Sequence, residues 1–290
     1  MKNAFLKLHI AVFLAGFTGV LGRMIELNEG LLVWYRMFFT IIFLWIPYAW
    51  KKGLMNFPIK KYVPVYLNGA LVASHWVFFY ASIKYANVSV GLVCFSAIGF
   101  FTAVLEPILL KKPFKTIEIL LGLLVILGIF LIFHFDPKFK LGILLGVVSS
   151  LLSTIFTIYN KRLLLTFSSK DLTIHELTGG WFFLSLVMPF YLQMFPTEKI
   201  LPNTSDIVWL IFLSLFCTVL AFNLLLQALK KISPFTVNLS YNLEPVYGIL
   251  LAFIIYGEYR EISQGFYWGF SLIIIAVLLQ SIRSIKLFKR

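Results

Sequence analysis

A-S-I-K-Y-A-N-V-S-V-G-L-V-C-F-S over residues 81–96 returns as A-L-K-K-I-S-P-F-T-V-N-L-S-Y-N-L over residues 228–243. Laid over each other without gaps, Ala81 falls on Ala228, Lys84 on Lys231 and Ser89 on Thr236. Further along, Gly122 falls on Gly269, at the same offset of 147 residues. Each half of the chain holds about five apolar segments of spanning length, judged against the ~20 residues a helix needs to cross a bilayer. An odd number of spans per copy turns the second copy upside down in the membrane. Inverted repeats of this kind are the architecture of many secondary transporters, whose substrate site lies near the membrane midplane between the repeats.

Composition agrees. Of the 290 residues, 60% are hydrophobic and 13% charged, with mean hydropathy +0.93. A soluble domain is ~45–50% apolar and ~25% charged. The apolar residues run nearly unbroken from Ile119 to Phe133 and from Phe266 to Leu279. Lipid offers the backbone no hydrogen-bond partner, so such runs are predicted to be helices. The alternation of a membrane β-barrel is absent. The net charge of +13 does not point to nucleic acid, because the basic residues sit at the ends of apolar runs, as in membrane proteins. Cys94 and Cys217 fall inside predicted spans without metal-ligand spacing and read as small buried thiols. No metal and no cofactor is expected. Lys2 and Lys7 before an apolar run resemble a signal peptide, but no A-x-A-like site follows. Gly16, Gly19 and Gly22 suit helix packing, so this segment reads as the first span.

The expected fold is an all-α integral membrane protein of about ten transmembrane helices, arranged as two inverted five-helix repeats at residues 1–137 and 138–290. The spans run Phe5 to Gly22, Leu31 to Trp50, Tyr62 to Ile83, Ser89 to Leu110 and Ile117 to Phe133. In the second half they run Leu141 to Asn160, Leu172 to Met194, Ile207 to Leu229, Pro234 to Tyr256 and Ile262 to Ile282. With the amino terminus in the cytoplasm, 18 of the Lys and Arg residues fall inside and 6 outside, with Arg36 left within a span. That bias holds loop after loop, so it supports both the span count and cytoplasmic termini. Lys111 and Lys112 lie inside, whereas their repeat equivalents Glu258 and Tyr259 lie outside and carry no positive charge.

Ionisable groups within a span cost roughly 2.5–3.5 kcal/mol on insertion scales, so each one is a candidate for function. Glu244 lies near the middle of the ninth span, followed by Pro245, which favours a kink there. It reads as a binder of a substrate amine or a proton, or else as a neutral acid bonded to a neighbouring helix. Glu106 precedes Pro107 but maps by the repeat onto Phe253, not onto Glu244. Its closeness to Lys111 and Lys112 reads as a structural salt bridge, with coupling as the alternative. Arg36 lies about two turns into the second span and reads as snorkelling or helix packing, with contact to a substrate carboxylate as the alternative. Glu176, at similar depth in the seventh span, pairs with Lys170, caps a helix end, or takes part in coupling. His75 shares a helix face with Asn68, Ser82 and Phe79 and reads as a satisfied packing histidine, or else as a proton shuttle or polar contact for cargo. Asn223 and Gln227 form a second polar pair four residues apart. Gly142, Gly146, Ser149, Ser153 and Thr157 make a small-residue stripe on the sixth span, suited to close helix approach. Phe79, Tyr241 and Asn242 are expected to shape the pocket.

Metalloprotease, nucleophile-elbow, P-loop and paired-aspartate motifs are missing, so the chain does not read as an enzyme or an ATP-driven pump. The run A-L-K-K-I-S-P-F-T-V-N-L-S-Y-N-L-E-P-V-Y-G-I-L-L-A-F-I-I-Y-G-E over residues 228–258 resembles the ninth-span region of EamA-type members of the drug/metabolite transporter superfamily. Pro245, Gly257 and Glu258 match the family pattern. In the first copy Ile98 stands where the family often has proline, and Lys111 where it often has glutamate. The resemblance implies a ten-helix alternating-access carrier of a bacterial inner membrane, with the first four helices of each repeat around a central cavity. The expected partners are the lipid bilayer and a small-molecule substrate, amino-acid-like and exported. His75, Phe79, Asn223, Tyr241, Asn242 and Glu244 are the expected binding residues, with Arg36, Glu106 and Glu176 as further candidates for substrate or proton. The alternatives are a carrier of phosphorylated or nucleotide-linked sugars, a lipid enzyme, and a non-transporting sensor. The sequence leaves the oligomeric state open.

Overall fold

In the computed structural model, which describes residues 2–50, 58–135, 137–241 and 243–288, the apolar runs are helices and no strand occurs among the described residues. The helices are α1 (Lys2–Met24), α2 (Glu29–Trp50), α3 (Ile59–Tyr85), α4 (Val88–Phe95), α5 (Ile98–Leu110), α6 (Thr116–Phe135) and α7 (Lys140–Leu163). They continue as α8 (Ser169–Met194), α9 (Thr204–Ser214), α10 (Ala221–Leu229), α11 (Pro234–Tyr241), α12 (Glu244–Tyr256) and α13 (Gln264–Phe288). A π-helical turn, Leu215–Leu220, joins α9 to α10. Among the described residues six helical runs are long and apolar enough to cross a membrane, and shorter apolar helices accompany them. Most are uninterrupted by proline and start on a side-chain cap where one is available. Asn87 caps α4 through Val90 N–H, Ser168 caps α8, and Asn203 forms a capping box with Asp206 at α9.

Packing follows the small residues. α3 lies against α7 and α8, α1 against α10 and α12, and α6 against α13. A Cβ on Gly146 of α7 would stand 2.7 Å from Cys94 Cβ and 2.8 Å from Ser82 Oγ, so the small-residue stripe serves close approach, as expected. Gly22 faces the ring of Tyr80, and Gly16 faces Tyr247. At Gly69 of α3, a Cβ would lie 2.8 Å from the backbone nitrogen of Gly180 in α8 and would also meet the Glu176 carbonyl. Backbone cannot yield as a side chain tip does. Gly69→Ala should therefore destabilise the protein by about 1–3 kcal/mol, the ordinary cost of overpacking. A melting curve in detergent checks it.

The fourth and ninth predicted spans are each broken. α4 ends at Phe95 and α5 begins at Ile98; α11 ends at Tyr241 and α12 begins at Glu244. At the first break Ser96 N–H bonds Val93 C=O at 3.0 Å and Gly99 N–H bonds Ser96 C=O at 3.2 Å. At the second, Leu243 N–H bonds Ser240 C=O and Val246 N–H bonds Leu243 C=O, both at 3.1 Å. These tight i→i−3 bonds recur at an offset of 147 residues. Pro245 accounts for the second break. The first has no proline after it. There Thr154 Oγ1, on α7, lies 3.3 Å from the Ile98 carbonyl, which also accepts from Thr102 Oγ1 at 2.6 Å.

Away from the face at which α1 begins, three segments are tied by charge. Lys199 Nζ lies 2.8 Å from Asp206 Oδ2 and also bonds Glu26, while Glu26 N–H donates to Asp206 Oδ1. Hydrogen bonds to Asp206 and Glu26 hold the Lys199 ammonium above its ordinary pKa. Its contribution to stability is therefore present in full below the ordinary lysine range and lost as pH rises through the raised value. The melting difference between wild type and Lys199→Met should be constant through neutral pH and shrink only in strong alkali. Because Lys199 is exposed to water, that difference should be small and should fall with salt.

Candidate functional site

A cavity of about 70 Å³ lies between α1, α2, α3, the two broken helices, α7, the π turn and α10. Six aromatic rings wall it: Trp76, Phe79, Phe95, Phe156, Phe222 and Tyr241. Two ionisable groups of opposite kind face the same space, Arg36 and Glu244. Both are buried, at 2% and 4% exposure, so neither is a surface charge.

Of the two favoured readings of Arg36, snorkelling and helix packing, the structure shows packing: the side chain is buried between helices. Its Nε donates to Thr218 Oγ1 at 2.8 Å, one Nη to Tyr80 Oη at 2.8 Å, and the other to the Cys217 carbonyl at 3.3 Å. The carbonyl is available because Cys217 and Thr218 lie in the π turn, where the α ladder is interrupted. Thr218 Oγ1 in turn donates to the Leu213 carbonyl, five residues back. The guanidinium stands 3.9 Å from the Trp76 ring centroid, a cation–π contact of the kind that strengthens when desolvated. No carboxylate pairs with Arg36 among the described residues.

Glu244 opens α12 at the second break, where the first-turn amides favour negative charge. Thr18 Oγ1, on α1, lies 3.4 Å from Glu244 Oε1. By the repeat offset its counterpart in the first half is Ala97, at the other break, so the acid is contributed by one half only. His75 lies on the cavity wall with Nδ1 held by Ser149, 2.8 Å from its hydroxyl and 3.0 Å from its carbonyl. The carbonyl can only accept, which fixes the proton on Nδ1 and leaves Nε2 as an acceptor.

Phe79 and Tyr241 line the cavity, and Asn242 lies outside the described residues. Asn223 is not among the lining residues. Its Oδ1 accepts from Gln227 Nε2, and Gln227 accepts from Lys7 Nζ at 2.5 Å, so this polar pair joins α10 to α1. Glu106 makes the expected salt bridge, 3.0 Å from Lys112 Nζ. Its other oxygen accepts from Phe235 N–H at 2.7 Å, at the start of α11. Glu176 neither pairs with Lys170 nor caps a helix; it is fully buried against Asn68.

Sequence reasoning missed the partner of that second Glu106 bond. At the opposite face Glu258 accepts from Val88 N–H at 3.0 Å, Ser89 N–H at 2.8 Å and Ser89 Oγ at 2.6 Å, and pairs with Arg23. Val88 and Phe235 are 147 residues apart. Each broken helix of one half is thus capped at its start by a carboxylate from the end of the broken helix of the other half. The signal lay in two glutamates near helix ends opposite repeat-related helix starts.

The EamA-like transporter family matches over residues 3–134 and 140–282. An uncharacterized transporter of Archaeoglobus fulgidus is 23% identical over 244 residues, which span 80% of this chain and 81% of that protein. A solved protein structure superposes with a TM-score of 0.71 at 15% identity, covering 99% of both chains, and so shares the fold.

Proposed function

Because the chain belongs to the EamA-like transporter family, we propose that it is a secondary transporter exporting a small amino-acid-like metabolite through this cavity. The observation that carries the reading is one buried cation and one buried acid on the wall of a single aromatic-lined space. A zwitterion presents a carboxylate to Arg36, whose planar fork suits it, and an ammonium to Glu244. The rings then receive an apolar side chain. A phosphate-bearing cargo calls for several buried cations, and Arg36 is the one on this wall.

In this reading the chain forms ten spanning helices as two inverted halves, residues 1–137 and 138–290. The matched hydrogen-bond pattern at the two breaks supports that arrangement. The lysine and arginine bias supports cytoplasmic termini in a cell membrane. The cavity takes on the order of five water molecules, at about 10–15 Å³ each, so cargo enters only when the halves rock apart. Glu258 holds the external side closed and Glu106 the cytoplasmic side. Alternating access breaks one carboxylate cap while the other stays made.

The test is release from proteoliposomes loaded with mixed amino acids and common metabolites, followed by mass spectrometry against protein-free vesicles. Selective loss of zwitterionic amino acids with apolar side chains is the expected result. Loss of phosphorylated solutes alone, or of nothing from folded and inserted protein, would overturn the reading.

A further inference from the structure

Glu176 is a buried acid that the cavity does not use. Glu176 sits about two turns into α8 with no exposed surface. Asn68 Nδ2, on α3, donates to Glu176 Oε1 at 2.6 Å. The same nitrogen lies 3.1 Å from Asn160 Oδ1 and 3.2 Å from the Phe156 carbonyl, both on α7. Glu176 Oε2 and Asn68 Oδ1 are both buried without a partner, as is Asn160 Nδ2. Turning the Asn68 amide over gives no relief, since its oxygen would then face three acceptors. Oε2 and Asn68 Oδ1 each lack a donor in this arrangement, while Asn160 Nδ2 is a donor left over beside them.

We propose that Glu176 and Asn68 form a proton-binding site. A neutral acid and a primary amide close a ring of two hydrogen bonds. Asn68 Nδ2–H donates to Oε1, as observed, and Oε2–H donates to Asn68 Oδ1. In that ring one proton satisfies both oxygens that lack a donor. No counter-charge replaces it. On α3, Tyr62 and Tyr66 turn toward the neighbouring His175 of α8. On α7, Lys161 Nζ donates to carbonyls of Leu229, Lys230 and Ile232. Asp171 is bonded by Ser168, Arg36 of α2 is bonded by Thr218 and Tyr80, and Gln227 of α10 is bonded by Lys7. Among the described residues no charged group touches Glu176. When α3 and α8 separate, water reaches the acid, Oε2–H ionises, and the proton passes to solvent, leaving a carboxylate.

The site stands on its own geometry, while its use in coupling rests on the transport reading, so two experiments separate them. Infrared spectra of the purified protein at neutral pH should contain a protonated-carboxyl C=O band that shifts in D2O. Glu176→Gln should remove it, and Glu244→Gln should leave it. If the Gln variant does not fold, Asn68→Leu should move the band to higher frequency by removing the amide. An unchanged band in these variants overturns the proton site. In proteoliposomes, Glu176→Gln should reduce amino-acid movement driven by a pH gradient at least tenfold and leave exchange without a gradient in place. Full pH-driven movement in that variant overturns the coupling role, whatever the cargo.

Discussion

Glu244→Gln should raise the KM for a zwitterionic amino acid by about 30-fold or more. Gln keeps the shape and a hydrogen-bonding oxygen but loses the charge that an ammonium requires. Removing one partner of a buried charged pair costs about 2–5 kcal/mol, and each 1.4 kcal/mol is tenfold in affinity. The lower end gives the figure stated. Arg36→Lys should be similarly severe, because an ammonium cannot satisfy Thr218, Tyr80 and the Cys217 carbonyl at once while lying over Trp76. The discriminating measurement is substrate preference. Wild type should reject an analogue lacking the amine, and the Glu244 variant should discriminate less. Equal discrimination in both would remove Glu244 from the site, whatever happened to the rate.

The second large effect concerns the caps. Glu258 is fully buried and satisfies two amides, one hydroxyl and Arg23. Glu258→Ala leaves the first amides of α4 open and Arg23 without its partner. A loss of about 2–6 kcal/mol is expected from the two buried amides, at about 1–3 kcal/mol each, while Arg23, 35% exposed, adds little. The functional readout uses the protein's own thiols. Cys217 lines the cavity, whereas Cys94 is fully buried outside that lining. The milder Glu258→Gln should speed labelling of Cys217 by an impermeant thiol reagent from the external side. Glu106→Gln should do so from the cytoplasmic side. If both variants label at the wild-type rate from either side, the caps do not control access.

Much of the fold was legible because lipid enforces simple rules. Long apolar runs became helices, glycines marked close crossings, and Pro245 marked a break. The break at Ser96 and Ala97 was not legible, since no proline stands beside it. For Arg36 the depth left snorkelling and helix packing both open, and the packing partners, among them a carbonyl in a π turn, are announced by no residue type. Glu106 was read from its nearby lysines, a local signal, and its bond to Phe235 spans the two halves. Asn223 was placed by depth and polarity alone, and packing turned it toward Gln227 and away from the cavity.

The third helix carries a consequence for how the protein is made. It is not among the helical runs apolar enough to cross a membrane on composition alone. Its polar groups find their partners in later sequence: Asn68 in Asn160 and Glu176, His75 in Ser149, and Ser82 in the Gly142 carbonyl. Until those residues emerge from the ribosome, α3 holds an unsatisfied amide, an imidazole and a hydroxyl that lipid disfavours. Its commitment to the bilayer therefore waits for the second half of the polypeptide. A nascent chain halted after residue 137 should remain within reach of the insertion machinery and of quality-control proteases, even though half the fold has already been translated.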